Sequence, residues 1–189
     1  MMLPTLETDR LLLRPFELSD AREVQQLAGH IEIAQMTLNI PHPYPDGGAE
    51  IWIRSSKNNS REGNGFPFAV VTKDDGKLIG CISLNLSKPH RKAELGYWLG
   101  KPYWGHGYST EAAKRVLSFG FQELGLNKIY AIAMVKNPAS TNVMKKLGMK
   151  WEGELKEHIL KWDVFEDIVY YGIRKSEYES QQTDLIVQG

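Results

Sequence analysis

The sequence predicts an α/β fold built on a central, mostly antiparallel sheet with helices packed against it. Three observations carry that reading. Strand-like runs meet at short turns, Asp74-Asp75-Gly76 and Lys161-Trp162-Asp163, which makes their strands antiparallel neighbours. An apolar strand, Ala93–Leu99, passes through a glycine-bearing turn into a pattern in which Ala113, Val116, Leu117, Gly120 and Leu124 recur at helical spacing. A further strand, Asn127–Val135, leads in the same way to Asn137-Pro138 and another helix. Hairpins and helical crossovers together make the sheet mixed.

The elements follow in order. Arg10–Arg14 is a short apolar strand. Ser19 and Asp20 offer a helix start, with Val24, Leu27 and Ala28 as the buried stripe. Three alternate prolines, Pro41, Pro43 and Pro45, hold the next stretch extended. Asp46 is expected to cap a helix through Ala49, Trp52 and Ile53 that breaks up between Asn58 and Gly65. Phe66–Thr72 and Leu78–Leu86 form a hairpin, and Lys88-Pro89-His90 turns the chain into Ala93–Leu99. After Asn127–Val135, Asn137 is an N-cap and Pro138 takes the first helical position, where its missing N–H is harmless. That helix ends at Gly148, with Lys145 and Lys146 in its last turn. Met149–Leu160 and Val164–Ile173 make the closing hairpin. Residues 1–189 are expected to form one domain, with a core over about 5–175 and a loose polar tail over 177–189.

Composition narrows the function. A chain of 189 residues buries a substantial core as one domain. Lysine plus arginine equal aspartate plus glutamate, which argues against a general nucleic-acid or anionic-membrane binder. The N-terminal stretch has no long apolar run, so neither a signal peptide nor a membrane span is expected in it. The single cysteine, Cys81, forms no intramolecular disulfide, and a reducing cytoplasm is the expectation. The five histidines show no metal-ligand spacing, so no metal is expected.

The chemistry centres on Tyr103-Trp104-Gly105-His106-Gly107-Tyr108-Ser109-Thr110-Glu111-Ala112. Two glycines let the backbone approach a ligand, and the first turn of the helix leaves N–H groups without partners. With the positive end of the helix dipole they make a site for phosphate. A dinucleotide fingerprint would need glycine at Thr110, and a Walker loop would need Gly-Lys-Ser/Thr, which Gly107-Tyr108-Ser109 is not. Taken alone, the turn reads equally as a tight strand-to-helix connection.

The run Trp104-Gly-x-Gly-Tyr-x-x-Glu-Ala112, together with Asn137-x-x-Ser140 and Lys146-x-Gly148, resembles the GNAT N-acetyltransferases. The branch it resembles holds the RimJ/RimL-type ribosomal-protein acetyltransferases. Thr8-Asp9-Arg10-Leu11-Leu12-Leu13-Arg14-Pro15 and Asp167-Ile168-Val169-Tyr170 fit that branch as well. The resemblance spans roughly residues 5–175. It implies a sheet of about seven strands, splayed between the fourth and fifth.

It also implies acetyl-coenzyme A as donor and a primary amine as acceptor, with transfer in a ternary complex. The diphosphate would lie on the amides of Gly105, His106, Gly107, Tyr108, Ser109 and Thr110. The pantetheine would run beside Tyr97, Trp98 and Leu99. Asn137, Ser140 and Lys146 would contact the coenzyme; Lys145, Arg115 and Lys101 are further candidate cations, and for each lysine, Lys146 included, solvated surface is the stronger reading. Two departures from the family pattern stand out: His106 lies where the branch often has Arg or Lys, and Met144 lies where many relatives carry a tyrosine acid.

The residues supply candidates for the transfer. Glu94 begins an otherwise apolar strand, where burial raises a carboxyl toward usefulness as a base. An ion pair with Arg91 or Lys92 is the structural alternative. By the same resemblance, Ser140 or an ordered water inherits the role of protonating the leaving thiolate; the alternative for Ser140 is helix-start hydrogen bonding alone. Glu111 answers the helix dipole, and Cys81 is a buried structural thiol. His42 and Tyr44, with Trp52 behind them, are expected to wall the acceptor cleft. The acceptor is a protein N-terminal α-amine or a small-molecule amine, and a monomer or homodimer is expected. A non-catalytic acyl-coenzyme A-binding module is the alternative from another class.

Overall fold

A computed structural model describes residues 3–187. Eight strands form one sheet in the order β1-β2-β3-β4-β5-β6-β8-β7. They are β1 (Leu6–Glu7), β2 (Leu11–Pro15), β3 (Gly65–Thr72), β4 (Leu78–Ser87), β5 (Lys92–Leu99), β6 (Lys128–Met134), β7 (Lys150–Lys161) and β8 (Val164–Arg174). All neighbours are antiparallel except β5 and β6. The helices are α1 (Ala21–Ala28), α2 (Ile31–Ala34), α3 (Gly48–Arg61), α4 (Tyr108–Ser118), α5 (Pro138–Lys146) and α6 (Lys175–Val187). Among the described residues, no helix is long and apolar enough to cross a membrane.

Strand alternation divides the interior into two cores. On one face Leu84, Ala93 and Leu95 pack with Ala112, Val116 and Leu117 of α4 and with Met144 of α5. On the other, Ala69, Val71 and Cys81 pack with Val24 of α1 and Ala49 and Ile53 of α3. β5 therefore turns Ala93, Leu95, Tyr97 and Leu99 toward α4. It turns Glu94, Gly96 and Trp98 toward α1 and α3.

Several expectations change. The sheet has eight strands rather than about seven, because Leu6–Glu7 adds a two-residue edge against Leu12 and Leu13. Asp46 does not cap α3; Gly47 takes that place at φ +72°, and Asp46 accepts from Gln25 Nε2 at 3.1 Å. α4 stops at Ser118 and widens into a π turn over Phe119–Glu123. The segment read as a loose tail is helical through Val187. Tyr178 is buried and stacks on Phe121 at 4.8 Å, while Glu177 binds Lys150 and Arg174. Gln188 and Gly189, and the side chains beyond Asp184, lie outside the described residues.

The splay falls where expected. Counting from the strand at Arg10–Arg14, strands four and five are β5 and β6. They pair only through Lys92, Ala93 and Glu94, opposite Lys128, Ile129 and Tyr130. Beyond Glu94 the sheet opens.

Candidate active site

The opening exposes main-chain groups. Gly100 N–H donates to the Ile79 carbonyl at 2.8 Å, which fixes the parity of the β4–β5 ladder. In an antiparallel ladder alternate residues face the partner strand, so the N–H and C=O of Tyr97 and Leu99 point away from β4, into the split. The Leu99 carbonyl is taken by Trp104 Nε1 at 2.8 Å.

At the end of β5 the chain passes through the glycine turn. Gly105 and Gly107 have φ of +78° and +79°, a region that disfavours any Cβ. A Cβ on Gly105 would meet nothing within 4 Å, so the turn is held by conformation, not by crowding. Among the described residues, the main-chain N–H groups from Gly105 to Thr110 donate to no protein acceptor. The first claimed donor is Glu111 N–H, to the Gly107 carbonyl at 3.0 Å. Unclaimed donors at a helix N-terminus make a ready anion cradle.

The turn is braced from the β1–β2 connection, a feature absent from the sequence reading. Glu111 accepts from Thr8 Oγ1 at 2.6 Å, Arg10 N–H at 2.9 Å and Arg10 Nε at 2.7 Å. Arg10 Nη2 donates to the His106 carbonyl at 3.0 Å, and its guanidinium lies 4.5 Å from the Tyr108 ring centre. Glu111 therefore does more than answer the helix dipole. Burial pushes its carboxyl up, but the donors of Thr8 and Arg10 outweigh that and leave it below the ordinary range.

A cleft of about 800 Å³ runs through the split. Tyr97, Trp98, Leu99, Gly105, Gly107, Tyr108, Ser109 and Thr110 line one side, and Asn137, Ser140 and Lys146 line the facing side. Glu94, Tyr44 and Trp52 line the same cleft. Two expected residues are not brought in. The His106 side chain stays outside the lining and stacks on Tyr108 at 5.7 Å, so only its main chain belongs to the cradle. His42 is exposed, meets the Gly29 carbonyl at 3.1 Å through Nδ1, and lies 6.2 Å from the Trp162 ring. Of the other cations, Lys101 is paired with Glu32 and Arg115 with Glu123.

On the α5 side, Asn137 Oδ1 accepts from Ser140 N–H at 3.2 Å, and its Nδ2 donates to the Met36 carbonyl at 3.2 Å. The Ser140 hydroxyl lies 2.8 Å from the Tyr97 phenol, which also donates to the Ser140 carbonyl at 3.0 Å. Burial pushes the Tyr97 phenol up to about 12, against the opposing hydrogen bond from Ser140. Met144 is buried in the core and off the cleft, so position 144 offers no proton donor here. Ser140 and Tyr97 are the hydroxyls at this wall.

Glu94 is half-buried and in register with Asn85 and Tyr130. Among the described residues it forms no ion pair, with Arg91 and Lys92 included. Burial raises its pKa, as a base working near neutrality requires. Cys81 borders the cleft, but burial pushes its thiol up to about 12, which leaves no thiolate to attack. A polar recess of about 470 Å³ continues from Trp52, Ser83 and Asn85 along α3 to Asn59 and Glu62.

The arrangement combines an anion cradle, a split strand with free main-chain groups, an unpaired raised carboxyl and a hydroxyl pair. Comparison with known proteins agrees with it. The acetyltransferase (GNAT) domain profile matches residues 10–150. The chain is 31% identical over 176 residues to the uncharacterized N-acetyltransferase p20 of Bacillus licheniformis, covering 92% of this chain and 98% of that one. It is 38% identical over 109 residues to the putative ribosomal N-acetyltransferase YdaF of Bacillus subtilis, covering 57% of this chain and 60% of that one. A crystal structure of a GNAT-family acetyltransferase from Bacillus anthracis superposes with a TM-score of 0.83 at 25% identity, covering 92% of this chain and 100% of that one. The profile spans most of the chain, and the cradle and split lie inside it: the chain belongs to the GNAT family of N-acetyltransferases, which act on amines with acetyl-coenzyme A as co-substrate.

Proposed function

We propose that the chain transfers an acetyl group directly to a primary amine in a ternary complex, with Glu94 taking the amine proton. Acetyl-coenzyme A supplies the activated thioester. The unclaimed amides of Gly105–Thr110 hold its diphosphate, and this row of free donors is the observation that carries the reading. The free N–H and C=O of Tyr97 and the N–H of Leu99, whose carbonyl Trp104 already takes, pair with the pantetheine as an added strand would. Asn137 and Lys146 complete the coenzyme side. As the amine nitrogen bonds to the acetyl carbon and the carbon–sulfur bond breaks, coenzyme A leaves as a thiol, its sulfur taking a proton relayed from solvent through the Ser140 hydroxyl that Tyr97 orients. The inert Cys81 supports direct transfer over a double displacement.

The acceptor end supports an amine with a single positive charge. Of the carboxylates that line the cleft, Glu32 is neutralised by Lys101 and Glu94 stands alone; of its lysines, Lys136 is neutralised by Glu166, and Lys146 balances the one remaining carboxylate. That balance disfavours a polyamine. With Tyr44 and Trp52 as apolar walls, a protein or peptide N-terminal α-amine fits best, in line with the similarity to a putative ribosomal N-acetyltransferase. The polar recess beside Asn59 and Asn85 favours a second reading, a hydroxylated or amide-bearing small amine.

Thiol release from acetyl-coenzyme A over a panel of N-terminal peptides and free amines tests both. Turnover on peptides and none on alkylamines is expected. Turnover confined to small amines selects the second reading, and tight coenzyme binding with no turnover on any amine overturns both.

A further inference from the structure

We infer that Lys161 is a positioning residue that straps the acceptor wall of the cleft in place. Residues 35–47, between α2 and α3, contain no regular helix or strand. Thr37, Leu38, Asn39 and Ile40 of this stretch line the cleft. Among the described residues, the N–H groups of Leu38, Asn39 and Ile40 donate to no protein group. The wall is held mainly through its carbonyls. Asn137 Nδ2 holds that of Met36 at 3.2 Å, and Lys161 Nζ holds those of Thr37 at 2.9 Å and Ile40 at 3.1 Å. The ammonium thus grips the chain on both sides of Leu38 and Asn39.

Lys161 is 9% exposed, and among the described residues it has no carboxylate partner. Burying a cation whose only hydrogen-bond partners are carbonyls is unfavourable for stability compared with an apolar side chain of the same shape. The turn that presents it is strained as well. Trp162 and Asp163 have φ of +50° and +61°, values that a two-residue hairpin turn normally gives to Asn-Gly. A tryptophan is rarely found there, and its ring lies 5.1 Å from Lys161 Nζ. An unpaired buried cation on a strained turn persists when it fixes something of use, here the wall beside Tyr44. The inference rests on the reading that this wall faces the amine.

The test uses the full chain with Lys161→Met and Lys161→Arg. The readouts are native-state chymotrypsin nicking after Leu38, coenzyme A affinity by calorimetry, and kinetics with Ala-Ala-Ala amide as the amine probe. In Lys161→Met, nicking and probe KM each rise about tenfold, the scale set by losing a charge-assisted hydrogen bond. Its kcat and coenzyme Kd stay within about twofold, and Tm is unchanged or higher. Lys161→Arg, which keeps the charge and the donors, stays near wild type. Unchanged nicking in Lys161→Met overturns the inference, as does nicking that rises throughout the chain with a falling Tm. If the wild-type protein does not acetylate the probe, the peptide reading fails, and the nicking rate at Leu38 still decides the strap.

Discussion

Replacing Glu94 by Gln tests the chemistry at its most exposed point. The substitution keeps the shape of a half-buried side chain that faces Asn85 and Tyr130, and removes only the proton acceptor. A positioned general base contributes about 10²–10⁴-fold, or roughly 3–5 kcal/mol of barrier, so kcat/KM at pH 7 should fall by about that factor. The structure adds a signed prediction for stability. Burial raises the Glu94 pKa, so the folded state holds this proton more tightly than the unfolded chain, and stability falls as pH rises between the two pKa values. Gln removes that penalty, and Tm at pH 7 should be equal or higher while activity collapses. Stopped thiol-release assays across pH give the second signature. The wild-type rate drops as pH falls through the raised Glu94 pKa. The variant instead climbs with the fraction of neutral amine: it levels off above about pH 8 for an α-amine and keeps rising toward about pH 10 for a lysine-like amine. A variant with the wild-type pH profile would refute Glu94 as the base.

Three further outcomes follow from the coenzyme side. Gly107→Ala forces an alanine to φ +79°, at about 1–2 kcal/mol, with its new Cβ only in ordinary contact with Arg10 at 3.6 Å. Calorimetry should show coenzyme A bound about tenfold more weakly, whereas Gly76→Ala, at φ +66° in a remote hairpin, should lose similar stability with no change in binding. Glu111→Gln weakens the brace to Thr8 and Arg10 and should lower stability by about 1 kcal/mol at neutral pH. Because the folded Glu111 pKa is depressed, its contribution is present above the usual carboxylate range and is lost as pH falls through the folded value, so wild type and variant should converge in acid melts. Tyr97→Phe frees the Ser140 hydroxyl. It should lower kcat by about tenfold and leave the coenzyme Kd within about twofold, measured side by side with Ser140→Ala.

Local chemistry made much of this legible in the sequence. Two glycines after an apolar strand can only be a turn, and Asn137-Pro138 can only open a helix, so the cradle and its facing helix were readable residue by residue. Glu94 stood out because one charge interrupts an apolar strand. What stayed hidden depends on distance along the chain. Arg10 reads as the first residue of a strand, and only the folded sheet sets it against His106 and Glu111. Lys161 reads as a hairpin charge until its ammonium meets Thr37 and Ile40. The partner of the Tyr97 phenol lies across the split on α5, so the sequence marks Tyr97 only by its place on β5 and not by its hydroxyl. His42 stands elsewhere because the stretch read as extended from its prolines bends at His42 and Pro43, and proline spacing gives no sign of that bend or of the side the ring takes. The last helix does not show in the sequence because, among its described side chains, a polar stretch packs Tyr178 onto a π turn that periodicity does not foresee.

Whether the amides following Leu99 grip the diphosphate can be read from an amide-resolved NMR titration of the labelled protein with acetyl-coenzyme A. The largest shifts are expected on the N–H resonances of Gly105 through Thr110, with those of Tyr97 and Leu99 next. Saturable binding that leaves Gly105–Thr110 unmoved would rule that grip out.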